Sequence, residues 1–291
     1  MHKAGFVNIV GNPNVGKSTL MNSLVGEKLS IITSKAQTTR HRILGIVNGE
    51  EFQLVLSDTP GVIKPSYELQ SSMMDFVKTA IDDADILIYM IEIGESSLKD
   101  ENLFNKIKSS SIPVVVLINK IDLSNQEELE NQVDEWKTKL PNAEIFPISA
   151  LKKFQVDNLL QRLIELLPEC PPYFPKDQLT DKPERFFVNE IIREKILLNY
   201  NKEIPYSVEI LTEEFKEDEK IIRIRSVIMV ERDSQKGIII GHKGSALKKV
   251  GIKSRKDLET FFGKQIHIEL FVKVNKNWRS NQNQLKRFGY K

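Results

Sequence analysis

Short runs of β-branched and aliphatic residues recur along the first half of the chain, and between them apolar positions return every three or four places. The runs at 5–10, 42–47, 52–57, 86–93, 114–118 and 145–148 predict strands. The stretches 17–25, 69–81, 98–109, 127–139 and 156–167 predict amphipathic helices. The run 86–93 is apolar at every position but Glu92 instead of alternating, so both faces of such strands are expected to be covered, as in a mostly parallel, doubly wound α/β sheet. Pro168, Pro171, Pro172, Pro175 and Pro183 then exclude a continuing helix and favour extended backbone, which places a linker at 169–183 between domains at 1–168 and 184–291. Beyond the prolines the pattern changes. A helix (184–198), two strands (206–212 and 220–230), two short helices (241–250 and 254–262) and a last strand (265–272) predict an α-β-β-α-α-β unit that does not repeat the first domain.

Composition leaves this picture intact: 40% hydrophobic and 28% charged residues over 291 positions suit two ordinary globular domains. No apolar run approaches the ~20 residues that span a bilayer, and the N-terminus lacks a signal-like apolar segment, so a cytoplasmic protein is expected. Cys170 is the only cysteine and has no second thiol for a disulfide or a zinc site. Charge does add something. The net +2 conceals 17 Lys and Arg against 5 Asp and Glu from residue 221 onward, +12 for the last quarter and −10 for the rest. Such asymmetry points to nucleic-acid contact by the second domain.

Between the first predicted strand and helix stands Gly11-Asn12-Pro13-Asn14-Val15-Gly16-Lys17-Ser18, a G-x-x-x-x-G-K-[ST] phosphate loop continued by Thr19. Backbone N–H groups in such a loop approach phosphate oxygens, and the helix N-terminus adds its positive dipole end. Lys17 is expected to bridge the β- and γ-phosphates and Ser18 to ligate Mg²⁺. Asp58-Thr59-Pro60-Gly61 follows the third strand, which puts a carboxylate where it can hold the metal and a glycine N–H where it can sense the γ-phosphate. The polar, aperiodic loop Gln37-Thr38-Thr39-Arg40-His41 lies between them, and Thr39 is preferred to Thr38 as a further metal ligand. Lys17, Thr39 and Gly61 form the candidate catalytic set; Ser18, Thr39 and Asp58 form the metal set.

Asn119-Lys120-Ile121-Asp122 ends the fifth strand. The Asp122 carboxylate can accept two hydrogen bonds from guanine N1 and its exocyclic amine, a donor pair that adenine lacks. Asn119 is expected to contact the base and brace the loop, the Lys120 stem to cover the base plane, and a backbone N–H of Ser149-Ala150 to reach the guanine oxygen. GTP and GDP are therefore the expected ligands.

These motifs resemble the GTPases of the translation-factor superclass, and the loop 37–41 is similar to the branch that contains the Era family and the tRNA-modifying GTPases. Gly241-His242-Lys243-Gly244, after Ile238-Ile239-Ile240, resembles the G-x-x-G loop of a KH domain, which clamps about four nucleotides of single-stranded RNA. Lys236, Lys243 and Lys248 supply charge around it, and with Gly241, His242 and Gly244 they are the candidate RNA contacts. A P-loop GTPase followed by an α+β, type II KH domain with a basic C-terminal tail is similar to the Era family over nearly the whole chain. The resemblance implies 16S rRNA near its 3′ end as ligand, a role in 30S ribosomal subunit assembly, a monomer, and weak peripheral contact with the inner membrane face. It also implies that Asn14 helps hold K⁺ where an arginine finger would place charge.

Two departures bear on mechanism. Ile63 stands where the family often has histidine, and Val62 stands where Ras-like enzymes carry a water-orienting glutamine. Arg40 and Arg42 lie in or beside the loop and could reach the phosphates after a rearrangement. A non-catalytic RNA-binding assembly factor and a tRNA-modifying GTPase stay open as other readings; Lys17, Ser18 and Asp58 speak against the first, the want of a cysteine motif or cofactor fingerprint against the second.

Overall fold

The structure, a computed structural model, describes residues 1–290, and the chain divides into two compact units, Met1–Ser66 with Gln70–Asp181, and Tyr67–Leu69 with the residues from Lys182 onward. Strands β1 (Lys3–Val10), β2 (Ile43–Asn48), β3 (Phe52–Asp58), β4 (Ile86–Glu92), β5 (Val114–Asn119) and β6 (Glu144–Pro147) form one sheet in the order β2-β3-β1-β4-β5-β6. All neighbours are parallel except β2, which runs antiparallel to β3 at the edge. Helices α1 (Lys17–Val25), α2 (Glu68–Asp82), α3 (Glu101–Lys108), α4 (Gln126–Lys139) and α5 (Val156–Leu166) connect them. Six consecutive residues of β4, Ile86 to Ile91, are fully buried, which is what the uninterrupted apolar run predicts for a central strand covered on both faces. Helix α3 begins later than its pattern suggests because Asp100 caps it, its Oδ1 accepting from the N–H groups of Asn102 and Leu103.

The proline-rich stretch is less of a linker than composition implies. Up to Asp181 it groups with the first unit and lines the outer edge of β2: Ile46 N–H donates to Leu179 O (2.8 Å), Thr180 Oγ1 donates to Leu44 O (2.6 Å) and Leu44 N–H donates to Asp181 Oδ1 (3.0 Å). Gln53, wholly buried, accepts from the N–H groups of Tyr173 and Phe174 and donates back to Phe174 O. Among the described residues no helix is long and apolar enough to cross a membrane.

The second unit contains α6 (Glu184–Asn199), β7 (Glu209–Glu217), β8 (Ile221–Val230), α7 (Asp233–Ile240), α8 (Ser245–Phe262), β9 (Gln265–Val274) and α9 (Gln282–Arg287). Its sheet runs β7-β8-β9, with β7 antiparallel and β9 parallel to β8. The order of elements matches the sequence pattern, but two helix boundaries do not. Ile238-Ile239-Ile240 closes a helix of its own, and 245–262 is one helix, not two. The expected basic tail folds back on this unit: Trp278 and Leu285 are fully buried, Trp278 Nε1 donates to Ser207 O (3.1 Å) and Tyr290 Oη donates to Glu209 Oε2 (2.7 Å). Its last residue, Lys291, lies outside the described residues.

Candidate nucleotide site and RNA-binding loop

The carboxyl ends of β1, β3, β4 and β5 bring the phosphate loop, the Asp58 segment and the Asn119 segment to one edge of the sheet, where open α/β sheets bind ligands. One cleft results. At its phosphate end it is lined by Lys17, Ser18, Thr39 and Gly61, at its base end by Asn119, Lys120, Asp122 and Ser149, and Asn14, Gly16, Thr19 and Thr33 belong to both ends. Gly16 caps α1 in the left-handed region, φ 110°, and a Cβ there would lie 2.2 Å from Asn119 Nδ2. Only glycine lets the two motifs touch.

Lys17 is buried and donates from Nζ to the carbonyls of Asn12 (2.7 Å) and Gly11 (3.1 Å). Burial pulls its pKa down to about 8, against the opposing pull of Asp58 and Glu95. Ser18 Oγ donates to Asp58 Oδ2 at 2.7 Å, and Thr39 Oγ1 lies 3.0 Å from Ser18 Oγ and 3.5 Å from the same carboxylate oxygen. Asp58 is completely buried, and its Oδ1 has no hydrogen-bond partner. Burial raises its pKa; Ser18, Lys17, Ser30 and Thr39 oppose the shift. An orphaned carboxylate oxygen beside two hydroxyls is a hard, oxygen-rich donor set that suits Mg²⁺. Thr38 turns elsewhere, its Oγ1 donating to Lys35 O at 2.6 Å.

Several side chains are committed differently from expectation. Asn12 turns its amide away from the cleft: Nδ2 donates to Ser97 O (2.9 Å) and to Glu95, while Oδ1 accepts from Lys99 N–H, so only its backbone faces the loop. Asn119 does brace the loop as expected, Nδ2 donating to Val15 O (2.7 Å) and Oδ1 accepting from Ala150 N–H (2.9 Å). Ser149 N–H donates to Phe154 O, so the N–H groups of Ser149 and Ala150 are both used inside the protein. The Ser149 hydroxyl donates to Asp122 Oδ1 (2.6 Å) and holds that carboxylate in place. Lys120, itself left-handed at φ 66°, pairs with Glu92. Arg40 is entirely buried, and Arg42 is bound by Asp83 and Ser57, so neither is poised as an arginine finger. Val62 is fully buried with its N–H donating to Gly11 O. Asn14 is exposed in the left-handed region, φ 66°, and donates from Nδ2 to Ser34 O (3.0 Å).

Sequence reasoning missed Leu123 and Leu151, which line the base end while 73% and 75% exposed. It also missed Glu95, which anchors Asn12 and whose carboxyl burial pushes up to about 7. A lone glutamate in a Gly-Glu-Ser-Ser loop carries no motif that would have revealed it.

In the second unit, the loop Gly241 to Gly244 joins α7 to α8 with Gly241, Lys243 and Gly244 all at positive φ. A groove beside it is lined by Gly244, Leu247, Lys248, Ile252 and Arg255 and by β9 from Ile266 to Leu270. His242 and Lys243 are exposed at the loop tip and Lys236 sits on α7; none of the three lines that groove. Ile252, Arg255 and His267 do line it without having been singled out in the sequence.

Residues 6–120 match the family model for the 50S ribosome-binding GTPase, and residues 203–279 match that for the KH domain. A crystal structure of Era in complex with MgGDPNP and nucleotides 1506–1542 of 16S ribosomal RNA superposes with a TM-score of 0.94 at 41% identity, covering 100% of this chain and 99% of that one. Aquifex aeolicus Era carrying one substitution and bound to GDP and AlF4⁻ gives 0.94 and 41%, with 99% of each chain covered. Fold and site thus define a P-loop GTPase domain followed by a KH domain. The chain belongs to the Era family.

Proposed function

We propose that this chain is a GTP-hydrolysing switch that binds 16S rRNA near its 3′ end through the Gly241 to Gly244 loop and the adjoining groove, and acts in 30S subunit assembly. The observation that carries the reading is the cleft in which a buried lysine and the Ser18 and Thr39 hydroxyls, backed by the buried Asp58 carboxylate, stand at one end and Asp122 at the other. Asp122 selects guanine; Lys17 and the N–H groups of the phosphate loop hold the phosphates. Ser18, Thr39 and Asp58 would hold Mg²⁺, which when bound supplies positive charge against the phosphate oxygens. Gly61 offers its N–H to the γ-phosphate, and water attacks that phosphate without a catalytic glutamine.

With Val62 buried and Arg40 and Arg42 committed, unaided turnover is expected well below the ~1 to 10³ per second of metabolic enzymes. Potassium beside the exposed Asn14 is the proposed substitute for the missing positive charge. Hydrolysis should then run faster in potassium than in sodium at equal ionic strength, and Asn14→Ala should erase the difference; equal wild-type rates in both salts would exclude the role.

A monomeric cytoplasmic protein with weak peripheral contact at the inner membrane face belongs to the same reading, and sedimentation with anionic vesicles tests that contact. The deciding experiment measures binding of a 3′-terminal 16S rRNA fragment to the chain loaded with a non-hydrolysable GTP analogue and then with GDP, alongside GTP turnover. Tighter binding in one state together with measurable turnover is the expected result. Turnover without RNA binding, or RNA binding without turnover, would leave only half the reading standing.

A further inference from the structure

Arg42 lies outside the cleft, yet it touches both strands that lead into the phosphate loop and into Asp58. Its Nη1 and Nη2 donate to the two oxygens of Asp83 (2.6 and 2.9 Å), its Nε donates to Ser57 Oγ (2.6 Å) and its Nη2 reaches Asn8 Oδ1 (3.3 Å). Asn8 completes the network, donating from Nδ2 to Ala80 O (2.6 Å) and to Asp83 Oδ1 (2.7 Å). Each partner stands next to a working element. Arg42 comes three residues after Thr39, and Ser57 immediately precedes Asp58. Asn8 lies on β1 three residues before Gly11, and Ala80 and Asp83 end the helix that follows the Asp58 to Gly61 turn. The Arg42 side chain is 14% exposed and that of Asp83 45%, so the fork is shielded on the Arg42 side and open to water on the Asp83 side.

We infer that Arg42 is a positioning residue: with Asp83 it forms a clamp that fixes the downstream end of the Thr39 loop to the ends of β1, β3 and α2. The inference rests on the GTPase reading above. A loop that moves when its γ-phosphate contact forms or breaks needs a fixed point at each end, and the clamp supplies the downstream one. Without it Thr39 samples positions away from Ser18 and Asp58, and displacement of a catalytic group by about 1 Å can cost on the order of a hundredfold in rate. Most of the nucleotide affinity depends on Lys17, the phosphate loop and Asp122, none of which the Arg42 side chain touches, so displacing Thr39 should cost far less in affinity than in rate. The guanidinium spreads five N–H donors over three nitrogens of a planar fork, whereas a lysine ammonium gathers its three donors on one atom; lysine retains the charge but cannot span Asp83, Ser57 and Asn8 together.

The test compares Arg42→Gln, Arg42→Lys, Asp83→Asn and the double variant Arg42→Gln with Asp83→Asn in the full chain. Three quantities are read: single-turnover GTP hydrolysis, affinity for a fluorescent non-hydrolysable GTP analogue, and tryptic cleavage of the loop 33–41 in the analogue-bound state. The clamp predicts hydrolysis about tenfold slower in each single variant, lysine included, with analogue affinity within about twofold of wild type. Cleavage of the loop should be faster in every variant, and the double variant should be no worse than the worse single one. Hydrolysis and loop protection at wild-type level in Arg42→Lys would overturn the inference, and so would loss of analogue affinity in step with turnover. If the wild-type chain hydrolyses no GTP while loop protection still depends on the clamp, the GTPase reading falls and the clamp stands.

Discussion

Asp122, the proposed guanine reader, is already held in place by a neighbour. Its Oδ1 accepts from Ser149 Oγ, which orients the carboxylate. Asp122→Asn should therefore lower GTP affinity by about a hundredfold, on the order of 3 kcal/mol for charged hydrogen bonds lost, and raise affinity for xanthosine triphosphate, whose altered edge pairs with an amide; competition binding reads both changes, and unchanged GTP preference would remove Asp122 from the base site. Glu95 makes a different point. Its folded pKa lies near 7 against an ordinary 4.5, so folding takes up a proton and stability declines as pH rises from about 4.5 through 7. Glu95→Gln should flatten that decline without abolishing it, because buried Asp58 is shifted the same way. Urea unfolding of both proteins at several values between pH 5 and 8 measures the two slopes, and identical slopes would show that Glu95 does not titrate there. Residue types at the site were legible in the sequence, whereas their hydrogen-bond commitments were not. Nothing in Asn-Lys-Ile-Asp says that the Asn119 amide is spent on Val15 and Ala150, since those partners come from distant segments.

At the scale of elements the periodicities carried most of the first unit because its strands are long, apolar and separated by helices of ordinary length. They carried less of the second. The pattern placed two helices at 241–250 and 254–262 where α8 is continuous; Gly251 lies where a Cβ would meet Leu270 Cδ1 of β9 at 3.6 Å, and packing against the sheet overrides the helix cost of about 1 kcal/mol for glycine. The G-x-x-G loop divides its two glycines by purpose. A Cβ on Gly241 would lie 2.6 Å from Ala246 Cβ, so substitution there disturbs the turn itself; nothing lies within 4 Å of one on Gly244. Gly244→Asp is consequently the cleaner probe, since Asp tolerates positive φ better than most residues and sets a negative charge beside the groove. It should weaken RNA binding at least tenfold by the loss of phosphate approach, on the order of 1.4 kcal/mol, while nucleotide affinity and the unfolding midpoint of the first unit stay near wild type. RNA binding at wild-type strength would mean that the loop does not hold the phosphates.

For the whole molecule, charge asymmetry and the proline cluster announced two units, and both signals are compositional, so neither could say where one unit ends. The backbone hydrogen bonds of β2 do say it. Leu44 and Ile46 face outward from the last strand of the sheet, and Asp181 and Leu179 satisfy their N–H groups. A fragment cut where the prolines begin, after Pro168, would lose that cover and would also strip the buried Gln53 of its partners in Tyr173 and Phe174. An uncovered edge strand is a template for another copy of itself. A fragment ending at Asp181 is therefore expected to sediment as a monomer at all concentrations, and one ending at Pro168 to self-associate as concentration rises. Equal sedimentation of the two would show the strap to be dispensable. The stretch that reads as a tether in the sequence is thus a guard against sheet-to-sheet aggregation, and anyone dividing this protein for crystallisation or display should leave it attached to the nucleotide-binding half.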